Sequence, residues 1–198
     1  MMRPALAIIV ILAAATAGML AGRGSRAEPA APGLRANLLP QDLDGARAPT
    51  IRLRDAAGRT VDTRRLDRPY LVSFVYTRCR DVCPLIGDEI GDALRRLGDS
   101  APSAAALLVS VDPPNDTPEA ARRWLRRHHL PPQAAYLLGT SRALRPIWRD
   151  WYIGGTDPRE HDASVWLVDA RGRLRGRWSG GEPIDPADMA HDLKALIH

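Results

Sequence analysis

Two segments of this chain are apolar at nearly every position, and both read as strands covered on both faces. They are Tyr70–Tyr76 (YLVSFVY) and Ala104–Val111 (AAALLVSV). Between them, Pro84–Leu97 carries Leu85, Ile86, Ile90, Ala93, Leu94 and Leu97 at helical spacing, which predicts an amphipathic helix. Upstream, Thr50–Arg54 and Thr60–Val61 flank Ala56-Ala57-Gly58, a hairpin signal. Downstream, Thr117-Pro118-Glu119 combines a capping hydroxyl, proline at the first helical position and an acid in the first turn. The helix it opens runs through Trp124 and Leu125 and stops before Pro131-Pro132. A short strand at Ala135–Leu138 and a helix over Ser141–Trp151 follow. Ser164–Asp169 (SVWLVD) and Leu174–Trp178 flank Ala170-Arg171-Gly172-Arg173 as a second hairpin, and Pro186–Ile197 closes the chain as a helix.

The predicted order is β-β-α-β-α-β-α-β-β-α, which implies an open α/β sheet with helices on both faces. A terminal antiparallel hairpin followed by a last helix makes that sheet thioredoxin-like rather than Rossmann-like. No GxGxxG opens a helix, so dinucleotide binding is unsupported. At the other end of the chain, Arg3 precedes an uncharged run of 19 residues, Pro4 to Gly22, and Arg23 and Arg26 follow it. About 20 apolar residues span a bilayer as a helix. Residues 1–22 therefore read as a transmembrane anchor, or as a signal peptide cut after Ala27 behind Ser25. No cysteine follows this run, which argues against a lipoprotein anchor. Residues 23–48, rich in Gly, Pro, Ala and Arg, read as a linker, and 49–198 as one domain. On this reading the domain is exported.

Composition adds little to the fold but limits the function. At 198 residues and 45% hydrophobic, the chain has enough apolar side chain for a packed core. The formal charge of +5 is almost all arginine, Lys194 being the only lysine. These arginines are scattered, and no nucleic-acid-binding motif accompanies them, so nucleic acid is not an expected partner. A basic surface suits work beside anionic lipid or an acidic partner.

The candidate chemistry lies in TRCRDVCP. Cys79 and Cys83, the only two cysteines, fall where the buried strand ends and a helix begins. Ligands of open α/β sheets gather at that edge, and a helix N-terminus stabilises thiolates. Residues four apart on a helical turn share one face, compatible with a disulfide or with two thiolates on one soft metal ion. Three intervening residues, where thioredoxin-type dithiols have two, favour the metal without forbidding redox cycling. A passive disulfide is the plain alternative in an exported domain, although so short a loop stabilises little. Structural zinc wants four ligands and lacks them here; Cu(I) accepts two thiolates and one imidazole. Of the five histidines, His128 and His129 at a helix end read as caps or exposed groups, and His191 and His198 as surface residues of the last helix. His161 lies in the loop before SVWLVD, which a thioredoxin-like sheet brings beside the cysteines. Asp112 and Asp116 in VDPPND occupy the same edge; turn formation accounts for both.

TRCRDVCP, SVDPPNDTPEAARRW and EHDASVWLVDARG together resemble the three blocks of the Sco/SenC family of copper chaperones, in order and spacing, from about residue 50 to the C-terminus. The resemblance implies a thioredoxin fold behind one N-terminal transmembrane helix, in the inner membrane with the domain in the periplasm. It implies a copper ion on Cys79, Cys83 and His161, and a Cys79–Cys83 disulfide in the oxidised form. It suggests a role for Asp112 and Asp116 in supporting the site or recognising a partner. The implied work is delivery of copper from an upstream donor to subunit II of cytochrome c oxidase, which is not turnover catalysis. Reduction of oxidase or other exported cysteines, as a thiol–disulfide oxidoreductase, is the alternative; a peroxidase role for Cys79 beside Thr77 and Arg78 fits less well. Family members usually carry proline after the first cysteine, where this chain has Arg80.

Overall fold

The computed structural model describes residues 33–37, 39–40, 42–154, 157–160, 163–179 and 183–197. Seven strands form one sheet: β1 (Arg52–Asp55), β2 (Thr60–Asp62), β3 (Tyr70–Val75), β4 (Ala105–Ser110), β5 (Ala134–Leu138), β6 (Ser164–Val168) and β7 (Leu174–Ser179). The helices are α1 (Val82–Arg96), α2 (Pro118–Arg127), α3 (Ser141–Asp150) and α4 (Pro186–Leu196). The spatial order is β2-β1-β5-β4-β3-β6-β7. β3, β4 and β5 are parallel, and β1 and β6 run antiparallel on either side of them.

The strands and helices fall on the segments named from the sequence, with three strands before the first helix where the predicted order has two, and the physical reasons are local. β3 and β4 are buried at every position because they occupy the middle of a sheet covered on both faces. Strand order advances in one direction from β3 to β4 to β5, so right-handed crossovers place α1 and α2 on the same face. There Ile86, Ile90 and Leu94 of α1, Trp124 of α2, and Met189 and Leu193 of α4 cover Leu71, Leu108, Val165 and Leu167. The other face is covered by α3, whose Leu144, Ile147 and Trp148 lie with Val72, Phe74, Leu107 and Trp166. Trp148 and Trp151 are both core residues.

Helix α1 begins at Val82, two residues before the sequence-based boundary. Pro84 therefore sits in the first turn, where its missing N–H loses no intrahelical bond. Part of the segment expected as a linker lies against the domain. Ala36 is buried, the buried Asp192 of α4 accepts from the Arg35 and Ala36 N–H groups at 2.8–2.9 Å, and backbone bridges join Asn37 to Arg177 and Arg47 to Arg173. The membrane-anchor expectation falls on residues 1–22, outside the described residues. Among those described, no helix is long and apolar enough to cross a membrane.

Candidate metal centre

Three connections meet at one edge of the sheet. In the parallel register Val75 of β3 faces Ser110 of β4, so the loops that follow these strands leave side by side. β6 runs antiparallel to β3, so its first residues start from the same edge. The loop after β3 carries Cys79, the loop after β4 carries Asp112 and Asp116, and the segment before β6 carries Arg159.

Both cysteines are free thiols. The Cys79 sulfur accepts the Cys83 backbone N–H at 3.4 Å. It occupies the place a capping side chain usually takes, since Asp81 at the N-cap makes no side-chain bond. This contact lets the helix start at Val82 and ties the loop that carries Cys79 to the first turn that carries Cys83. They differ in access: Cys79 is 9% exposed and Cys83 only 1%. Burial pushes the Cys83 thiol up, and the neighbouring Cys79 adds to the rise. The helix N-terminus, expected to favour thiolate here, is outweighed at Cys83 by desolvation. The Tyr76 phenol is also pushed up, first by burial and then by the neighbouring Cys79.

Behind the cysteine loop lies a buried carboxylate, Asp116, for which the residues alone suggest turn formation and the family resemblance a role in supporting the site or recognising a partner. Asp116 Oδ1 accepts the Thr77 N–H at 2.8 Å and the Thr77 hydroxyl at 2.7 Å. Its Oδ2 accepts the Ser110 hydroxyl at 2.6 Å and the Tyr136 hydroxyl at 3.1 Å. One side chain thus ties the loop two residues before Cys79 to β4 and β5. The Tyr136 phenol is held well above its usual range, mainly by burial and next by the Asp116 charge. Asp112 is the turn residue the sequence suggests. Its carbonyl accepts the Asn115 and Asp116 N–H groups at 2.9 Å, and its carboxylate holds the Asn115 amide. It also borders the cysteine cavity.

That cavity, about 540 Å³, is lined by Tyr76, Thr77, Cys79 and Asp112 with four arginines, Arg78, Arg80, Arg127 and Arg159. Arg80, in place of the usual proline, is exposed at its mouth. Arg159 comes from the loop before β6, so that loop reaches the cavity into which Cys79 opens. His161 itself lies outside the described residues, as does His198. Among the described residues no group of three His, Cys, Asp or Glu side chains is placed to hold a metal ion. His128 caps the C-terminus of α2, as its position suggests, but it is buried rather than exposed: it stacks on Trp124 with ring centres 4.4 Å apart, and its Nδ1 lies 2.9 Å from Asp88. His191 is exposed and contacts Asp192.

The fold and the paired thiols at a strand-to-helix turn define a thioredoxin-like dithiol protein. The SCO1/SenC family model matches residues 44–198, and the chain belongs to that family. It is 31% identical over 121 residues to the human mitochondrial SCO1 homologue, covering 54% of this chain and 37% of that protein. It is 23% identical over 113 residues to a SCO2-like protein of Rickettsia conorii, covering 52% and 54% respectively. The chain spans about half the length of the Rickettsia relatives it matches. Among solved structures, Bradyrhizobium japonicum ScoI with copper bound aligns with a TM-score of 0.63 and 29% identity, over 76% of this chain and 99% of that one. BsSco, described as a cytochrome c oxidase assembly protein with a disulfide switch, shares the fold with a TM-score of 0.65 at 21% identity, over 76% and 93%.

Proposed function

We propose that this protein is a copper-binding metallochaperone that holds one copper ion on Cys79, Cys83 and His161 and delivers it to subunit II of cytochrome c oxidase. The observation that carries this reading is the pair of free thiols at the start of α1, Cys79 in the loop before it lining a cavity and Cys83 buried in its first turn, with Arg159 from the segment before β6 lining the same cavity. Two thiolates suit a soft ion, and an imidazole from that segment completes a three-donor set. Copper is the cargo, taken from an upstream donor. A partly accessible Cys79 beside a buried Cys83 suits hand-over, because a partner's sulfur approaches one ligand first. Asp116 acts at one remove, holding the loop on which Cys79 is placed. Residues 1–22 serve as a single-pass inner-membrane anchor with the domain in the periplasm.

Anaerobic titration of the reduced protein against a Cu(I) chelator tests the site. One equivalent is expected, with sharply weaker retention in Cys79→Ser, Cys83→Ser and His161→Ala. Unchanged affinity in all three variants refutes the assignment. The asymmetry in burial also fits a second reading, thiol–disulfide exchange on exported cysteines. In that case His161→Ala retains oxidase assembly while both cysteine variants lose it.

A further inference from the structure

The cavity over Cys79 does not end at its rim. A second concavity shares Thr77, Arg78 and Arg127 with it and adds Arg123 of α2. A third shares Asp112 and Arg159 and adds Arg145 and Arg149 of α3. The three form one trough across the sheet edge, with Cys79 near its middle. Arg78, Arg80, Arg123, Arg127, Arg145 and Arg159 are all exposed along it. Arg159 is partly neutralised by Asp157 and the neighbouring Arg149 by Asp150, while Arg78 donates to the uncharged Asn115 side chain. Arg80, Arg123, Arg127 and Arg145 have no ion pair or hydrogen bond with any described residue, in contrast to Arg59, Arg95, Arg122 and Arg175, each held by a carboxylate. Among the described residues, Asp112 and Asp157 are the only acids lining the trough, and both are already engaged by neighbours.

We propose that this arginine trough is the docking surface for a protein whose thiol- or metal-bearing site is set in an acidic surface. Unpaired guanidinium groups gain most from carboxylates, with which they form paired hydrogen bonds. A positive trough leading to the exchanging sulfur steers an acidic partner to it and rejects a basic one. The shape favours a protein over a lipid surface, since a headgroup plane does not follow three linked concavities. Leu85, in the first turns of α1, and Tyr152, just after α3, are the only large hydrophobic side chains strongly exposed among the described residues, at 56% and 73%. Tyr152 and the trough share a neighbour in Ile153. Arginine and tyrosine beside concave ground are the chemistry of a protein interface.

This inference rests on the reading of Cys79 as the exchanging group, and its test separates the two. Two fluorescent peptides, identical around a central Cys-x-x-x-Cys, are compared on the reduced full-length protein in detergent: one flanked by Asp and Glu, the other by Asn and Gln. The acidic peptide is expected to bind about tenfold more tightly at low salt, with the advantage lost near 0.5 M salt. R123E/R145E, which leaves the lining of the Cys79 cavity intact, should abolish the preference and leave Cu(I) stoichiometry and affinity unchanged. R47E/R65E/R96E, at the opposite edge of the sheet, should keep it. Equal binding of both peptides overturns the proposal. So does a preference that survives the trough reversal, or that disappears equally in the opposite-edge control. Binding to phosphatidylglycerol vesicles without any preference for the acidic peptide overturns it in favour of a membrane surface. Loss of copper binding in the parent protein would instead count against the metallochaperone reading.

Discussion

Replacing Asp116 tests whether the cysteine loop is held from behind. The carboxylate accepts four hydrogen bonds, two from Thr77 and one each from Ser110 and Tyr136, and is itself 5% exposed. Hydrogen bonds to charged groups contribute roughly 1.5–3 kcal/mol each, and a buried donor left unmatched costs about 1–3 kcal/mol. The four do not add fully. Thr77 is half-buried and recovers bonds to water, and the charge's own desolvation is relieved on removal. The expected cost of Asp116→Ala is therefore about 4 kcal/mol, or roughly 8–16 °C in Tm for a domain of this size. Asp116→Asn keeps one oxygen for Thr77 and turns an amide toward two hydroxyls able to accept from it, so about half that loss is expected. Guanidinium unfolding followed by tryptophan fluorescence measures both. Freed from its anchor, the loop should also react faster at Cys79 with a water-soluble alkylating reagent under native conditions. An Asp116→Ala protein within about 1 kcal/mol of the parent would refute the network's contribution. A destabilised variant whose Cys79 reactivity is unchanged would refute the claim that Asp116 positions the cysteine.

Two other consequences follow from the same packing. Gly87 lies on the face of α1 toward α2, where an added Cβ would stand 2.6 Å from the Trp124 ring. Gly87→Ala should thus destabilise by about 2 kcal/mol in a denaturant titration, although alanine normally stabilises a helix interior by up to about 1 kcal/mol; a stabilised variant would contradict the close approach. Tyr70 is almost fully buried, and its phenol is pushed up to about 12, first by burial and then by the Asp169 charge, against a hydrogen bond with Thr63. The folded state keeps this proton where the unfolded chain has lost it, so the stabilisation is complete below about pH 10 and fades as pH rises toward about 12. Relative to Tyr70→Phe, the parent should lose about 2–3 kcal/mol across that window in equilibrium unfolding; a difference independent of pH would show that Tyr70 ionises equally in both states.

What could be read without coordinates was whatever the chain encodes locally. The unbroken apolar runs at 70–76 and 104–111 announce central strands because a residue covered on both faces has no polar alternative. Thr117-Pro118-Glu119 announces a helix start because its cap, its fixed φ and its acid act within one turn; the Thr117 hydroxyl does accept the Ala120 N–H at 3.2 Å. Cys79 and Cys83 stood out as candidates because the only two cysteines fall where a buried strand ends and a helix begins. The tertiary structure alone decided the rest. It buried Asp116, whose partners Thr77, Ser110 and Tyr136 come from three separate segments that no local pattern links, and for that reason turn formation was the natural reading. It buried His128 against Trp124 and Asp88 of a neighbouring helix, where a helix-end position by itself suggests exposure. It started α1 two residues early, because the Cys79 sulfur supplied the missing cap. It also brought arginines scattered along the sequence into one trough, since residues of two loops and two helices become neighbours only when the sheet brings these connections to one edge.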